Sequence, residues 1–219
     1  MKIKKIAPSE IDLELFLCSW YGLPDRPAIP LGSDADWVPE ELRNWYELSS
    51  RWSVALTSTK RFLPVAALKR EGDKYIFLGD QGDWAWAFDP AEPAVVYVAE
   101  GDGPWQVVPE GFSEFLLHNA ISEAVWSGTV VQWSNDVADT PLQAALSTFS
   151  VINFKEWSWP GAGSQLYMNS EAIAFVQKTR RFREPRDVIE GHYVLTIGAK
   201  SRQSIAYLDS IDGVEWRRR

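Results

Sequence analysis

Between Tyr75 and Phe154 the chain contains neither lysine nor arginine. Eleven acids lie in that span: Asp80, Asp83, Asp89, Glu92, Glu100, Asp102, Glu110, Glu114, Glu123, Asp136 and Asp139. Such a surface repels nucleic acid, because holding phosphates requires Lys and Arg to displace counterions. It attracts and steers a cationic partner. A solvated acidic face that serves only solubility is the competing reading, and composition leaves both open. Cys18 is the only cysteine and no Asn-x-Ser/Thr acceptor occurs. No intrachain disulfide can form, and both features suit a reducing compartment, so a cytoplasmic protein is expected. No apolar run approaches the ~20 residues that span a bilayer. The opening MKIKKIAPSEIDLELF is interrupted by Pro8, Glu10, Asp12 and Glu14 before it could serve as a signal sequence. No membrane partner is expected.

Catalytic and cofactor chemistry is poorly supplied. Histidine, the usual proton carrier near neutral pH, occurs only as His118 and His192, and neither has a neighbour that makes it a triad member. Both read as surface or hydrogen-bonded structural histidines. One cysteine and two distant histidines match no familiar zinc spacing, so no metal site is expected. Gly198 to Ser201, reading GAKS, places Ala199 between glycine and lysine and lacks the earlier glycine of a phosphate loop. Gly161 to Ser164, reading GAGS, has no third glycine, and no Gly-x-Ser-x-Gly elbow activates a serine. No catalytic residue and no cofactor are therefore assigned.

What the sequence does contain is a large apolar complement, 46% hydrophobic with 12 tryptophans against 24% charged, at a net charge of -8. This suits one large domain, or a domain with an extension, around a sizeable core. Ser9 is expected to cap a helix through Trp20 with the stripe Leu13, Phe16, Leu17, Trp20, ended by Tyr21 to Pro24. A second amphipathic helix is expected from Val38 to Ser50. The period then changes to four short strands, Lys74 to Asp80, Trp84 to Phe88, Val95 to Ala99 and Trp105 to Val108, separated by turn sequences. These read as an antiparallel meander. A helix opening near Ser113 carries Phe115, Leu116, Ala120 and Val125 toward the sheet. Beyond SNDVADT, Thr140, Pro141 and Gln143 resemble a capping-box start, which places a boundary between a domain of residues 1–135 and an extension of residues 136–219. In the extension, strands are expected at Val151 to Phe154, Ala172 to Gln177 and Tyr193 to Ile197, then a helix from Arg202 to Ser210 capped by Ser201. A basic cluster, Lys178 to Arg186, precedes the last strand.

Asp80, Asp83 and Asp89 beside Trp84 and Trp86 have the residue types of a glycosidase, which sets two carboxylates around a sugar held on aromatic faces. Aspartates also populate hairpin turns simply because their side chains bond their own backbone. Along a strand Trp84, Trp86 and Phe88 share one face and Ala85 and Ala87 the other, the pattern of a sheet face covered by a helix. Trp105, after the turn sequence EGDGP, is expected to be partly exposed.

The run Gly-Asp-Gln-Gly-Asp-Trp-Ala-Trp-Ala-Phe-Asp at 79–89, Glu-Pro-Ala-Val-Val-Tyr-Val at 92–98, Gly-Asp-Gly-Pro-Trp at 101–105 and Phe-Ser-Glu-Phe-Leu at 112–116 together resemble the core of the SUKH superfamily, the Smi/Knr-like proteins. In that family Gln-Gly leads into a Trp-containing strand, a Pro-x-Val strand follows, and a Ser-x-Phe-Leu helix closes the unit. The likeness covers about residues 9 to 127, and Gly79 and Asp80 stand where the family more often has an acid and Asn. It implies an α+β fold, a mainly antiparallel sheet flanked by helices, here with a C-terminal α/β extension. It also implies a non-enzymatic binding protein, in bacteria often an immunity protein that neutralises a basic, nuclease-like toxin domain. On this reading Asp80, Asp83, Glu100 and Asp102 face the protein partner, with Trp105 as an aromatic anchor. The alternatives are a carbohydrate-binding or carbohydrate-active protein using the Trp and acidic residues, and a regulatory or scaffold protein of the same fold.

Overall fold

A computed structural model describes residues 4–157, 163–181 and 184–219. In chain order the elements are β1 (Lys5–Ile6), a 3-10 turn (Pro8–Glu10), α1 (Leu13–Tyr21), α2 (Glu40–Ser49), β2 (Lys60–Phe62), β3 (Lys69–Glu71), β4 (Lys74–Asp80), β5 (Trp84–Asp89), β6 (Glu92–Glu100), β7 (Gln106–Gly111) and α3 (Phe112–Trp126). There follow β8 (Val130–Ala138), α4 (Asp139–Ala145), β9 (Ser150–Ile152), β10 (Gln165–Met168), β11 (Ala172–Arg181), β12 (Glu184–Ala199), a 3-10 helix (Gln203–Ser210) and β13 (Arg217–Arg218). The fold is α+β, with two mostly antiparallel sheets. No helix among the described residues is long and apolar enough to cross a membrane.

The chain divides into two compact units, Ile11–Glu123, and Ala124–Arg219 together with the stretch to Glu10. Residues 124–135, read from the sequence as the end of the first domain, group with the second unit, because β8 pairs with β12 over Val130 to Ala138.

The unit Ile11–Glu123 holds the sheet β2-β4-β5-β6-β7, with β3 also paired to β4. From β4 to β7 each strand pairs antiparallel with the next, as the alternation and turn signals predict. Trp86 and Phe88 are buried, Phe88 beside Phe77 at 6.2 Å; Phe77 lies 5.3 Å from Phe112 and 6.0 Å from Phe115 of α3, and Trp86 lies 6.4 Å from Phe115, centroid to centroid. Ala85 and Ala87 take the opposite face, where Ala87 registers with Tyr97. The sheet face covered by a helix is therefore as read. Helix α1 departs from the reading at its start. Asp12 is the N-cap, its Oδ1 accepting from Leu15 N at 2.8 Å, while Ser9 lies in the preceding 3-10 turn. The helix ends at Gly22, whose φ of 89° a side chain would resist.

The second unit carries the sheet β1-β9-β10-β11-β12-β8-β13, parallel only at β1 and β9. Its core gathers Val137, Leu142, Leu146, Phe149, Leu195, Ile197, Ile205 and Leu208. Two caps differ from expectation. Helix α4 begins at Asp139 behind Ala138, which offers no side-chain cap, so Thr140 is inside the helix rather than at its threshold. The segment after Ser201 is 3-10, with Arg202 at its N-cap, although Ser201 Oγ still accepts from Ser204 N at 3.3 Å. His192 lies within β12, half exposed, with Nδ1 2.6 Å from Asp136 Oδ1. The basic cluster 178–186 lies partly outside the described residues, as does the Gly161 to Ser164 stretch.

Candidate functional site

The meander decides which acids meet. Strands β4 and β6 run one way and β5 and β7 the other, so the turns at 81–83 and 101–105 share one end of the sheet. Trp84 registers with Glu100, and Gly101 N donates to Asp83 O at 2.6 Å. The second turn tightens on itself, with Gly103 N donating to Glu100 O at 2.9 Å. A Cβ at Gly103 would lie 2.8 Å from that same carbonyl oxygen, so glycine is required there. Asp83, Glu100 and Asp102 are all exposed on these turns, and Trp105 beside them is half buried. Four of the five residues read as a partner-binding set thus share one edge in solvent-facing positions.

Asp80 has a different setting. Its Oδ1 accepts from Gly82 N at 2.8 Å and from Trp84 N at 3.1 Å, the Asx geometry that closes a turn, and the residue is only half exposed. Asp80 shapes the turn from which Asp83 projects. Asp89 lies at the far end of β5, about 17 Å away along a six-residue strand. There it pairs with Lys74 at 3.7 Å. Trp86 is 2% exposed. The constellation of Asp80, Asp83 and Asp89 around Trp84 and Trp86 is therefore not assembled: one acid is remote and one ring is covered.

Beneath the acidic edge lies a charged core that the sequence reading missed. Lys60 on β2 registers opposite Asp80, and its side chain is fully buried. Lys60 Nζ lies 3.2 Å from Glu123 Oε1, 3.5 Å from Ser122 Oγ, and 5.5 Å from the Trp86 ring centroid. The Glu123 carboxylate also accepts from the amides of Ser58 and Thr59 at 2.6 Å, from Lys60 N at 3.3 Å, and from Thr59 Oγ1 at 2.5 Å. Burial lowers the Lys60 ammonium to about 8, although Glu123 and Asp80 both act to hold its proton. Burial pushes the Glu123 carboxyl up, but the Lys60 charge and the donors from Thr59 and Ser58 outweigh it, and the group ends below its ordinary value. One turn earlier on α3, buried His118 sets Nδ1 2.8 Å from Glu110 Oε1. Burial first, then the Lys60 charge, hold His118 well below the ordinary imidazole range against the opposing pull of Glu114, and so favour the neutral ring.

A sequence signal for this core existed. Helix α3 places His118, Asn119, Ser122 and Glu123 among Phe115, Leu116, Ala120, Ile121 and Ala124, leaving no wide polar face for water. Polar side chains in a helix apolar all round are drawn to partners inside, as His118, Ser122 and Glu123 are here, whereas the buried Asn119 side-chain amide has no hydrogen-bond partner. Lys60, some 63 residues away in the sequence, carries no comparable signal.

This arrangement can present fixed negative charge to a cationic surface. Among the described residues no group of three or more His, Cys, Asp or Glu side chains could hold a metal ion. Comparison with family models, with curated proteins and with solved structures finds no match to the chain.

Proposed function

We propose that the protein is a non-enzymatic binding protein of the SUKH type, an immunity protein that neutralises a basic, nuclease-like toxin domain by covering its phosphate-binding site. The observation that carries this reading is the pair of acidic turns at one end of the meander. Asp83, Glu100 and Asp102 stand exposed together beside Trp105, inside a stretch of sequence that contains no lysine or arginine. A nuclease must hold phosphate with Lys and Arg, and a preformed acidic edge competes for those cations. The half-buried Trp105 supplies the aromatic contact that such interfaces place near their centre. Asp80 contributes from behind, by closing the turn.

Affinity capture from the native lysate at low salt, followed by a high-salt step, tests the proposal. The expected eluate contains a basic toxin domain, and the double variant Asp83→Lys with Asp102→Lys fails to retain it. Retention of the same domain by the double variant would remove these turns from the interface.

A further inference from the structure

The acidic edge and the charged core meet across the β2–β4 ladder. Glu123 on α3 holds residues 58–60 through their amides and grips the Lys60 ammonium. Lys60 stands opposite Asp80 across the β2–β4 ladder and interacts electrostatically with it. Asp80 holds the amides of Gly82 and Trp84, and the carbonyl between them, that of Asp83, accepts from Gly101 in the neighbouring turn. The edge therefore carries exposed carboxylates on its turns, while the lysine in register with its supporting aspartate sits inside the fold.

We propose that Lys60 is the positioning residue of this edge. Its buried charge compensates Asp80, keeps that carboxylate turned in toward the backbone amides, and so fixes the two turns in the form a partner meets. The proposal rests on the reading of the edge as a binding surface. Burying an ammonium is costly unless it is paired, and a merely structural pair is replaceable by apolar groups with little loss. The assignment explains why a lysine occupies the interior of this unit, on a strand of three residues at the rim of the sheet.

The test separates position from stability. Lys60→Met alone strands the Glu123 charge and risks unfolding, so the variant to use is Lys60→Met with Glu123→Gln, in which the glutamine oxygen still accepts from the amides of residues 58–60. Site-resolved amide hydrogen exchange on the full chain is expected to show protection of Gly82, Trp84 and Gly101 falling by about tenfold, with the β8–β12 ladder unchanged. Adding Asp80→Asn, which removes the carboxylate charge and keeps the accepting oxygen, is expected to restore most of that protection. Unchanged protection at the three amides overturns the proposal, as does a uniform loss across the unit that Asp80→Asn fails to restore. This exchange experiment needs no partner. Binding of a hexa-arginine peptide to the wild-type chain, measured alongside at low salt, reports on the acidic edge itself, so failure of the binding reading and failure of the positioning role are seen separately.

Discussion

His118 shows what a single residue hides until its surroundings are known. In the sequence it is one of two histidines without a catalytic neighbour, and it reads as a structural group on the surface or in a hydrogen bond. It proves to be buried beside Glu110, with its imidazole held well below the ordinary range. The unfolded chain takes up a proton on this imidazole below about pH 6.5, and the native state does not. The unfolded state therefore binds more protons in that range, and stability falls as pH drops through 6.5 toward the depressed native value. Urea unfolding at pH 7.5 and pH 5.5 is expected to show a loss of roughly 1 kcal/mol in the wild type that is absent in His118→Gln. Equal pH dependence in the two proteins would mean that His118 takes up its proton in the fold as it does in the unfolded chain. Gly198 makes a second residue-scale case. A Cβ there would sit 2.0 Å from Val125 O, so backbone must move to admit it. Gly198→Ala is expected to lower stability by about 2 kcal/mol or more in thermal or urea unfolding.

At the scale of elements, what was legible followed from period and punctuation. The four meander strands alternate side chains and are separated by Gly- and Asp-bearing turns, and these local signals survive tertiary context. Helix boundaries were less legible, because several caps compete for one start. Pro8, Ser9 and Glu10 close a 3-10 turn of their own, which leaves Asp12 to cap α1. Asp12→Ala is therefore expected to cost about 1 kcal/mol in thermal unfolding, and Ser9→Ala distinctly less. The reverse order would restore Ser9 as the cap. Strand β8 was illegible for a different reason. Its sequence SNDVA resembles a turn, yet Ser134 is buried with its hydroxyl bonded to Asp136 O at 3.2 Å, and Gln132 is buried and receives Arg202 at 2.6 Å. Polar side chains buried inside a sheet defeat a reading based on hydrophobic alternation.

At the scale of the whole molecule, the long cation-free span is the feature that the sequence exposes most plainly, and the fold gathers part of it into a candidate site. Antiparallel pairing turns a linear excess of acid into two neighbouring turns with Asp83, Glu100 and Asp102 exposed, and sends Asp89 to the other end of the sheet. The acids of the site were legible because turns announce themselves locally. Their support was not, because the Lys60 and Glu123 contact joins residues far apart in the chain, and no motif or period around Lys60 singles it out. The measurement that bears most directly on the binding role is the association rate with the captured basic domain, followed by stopped flow across a salt series, for the wild type and for Asp83→Lys with Asp102→Lys. Steering by an acidic edge requires the wild-type rate to fall steeply with salt, and the double variant to associate about tenfold or more slowly at low salt with a flattened dependence. Equal rates and equal salt slopes in the two proteins would contradict the assignment of this edge as the surface that meets the partner.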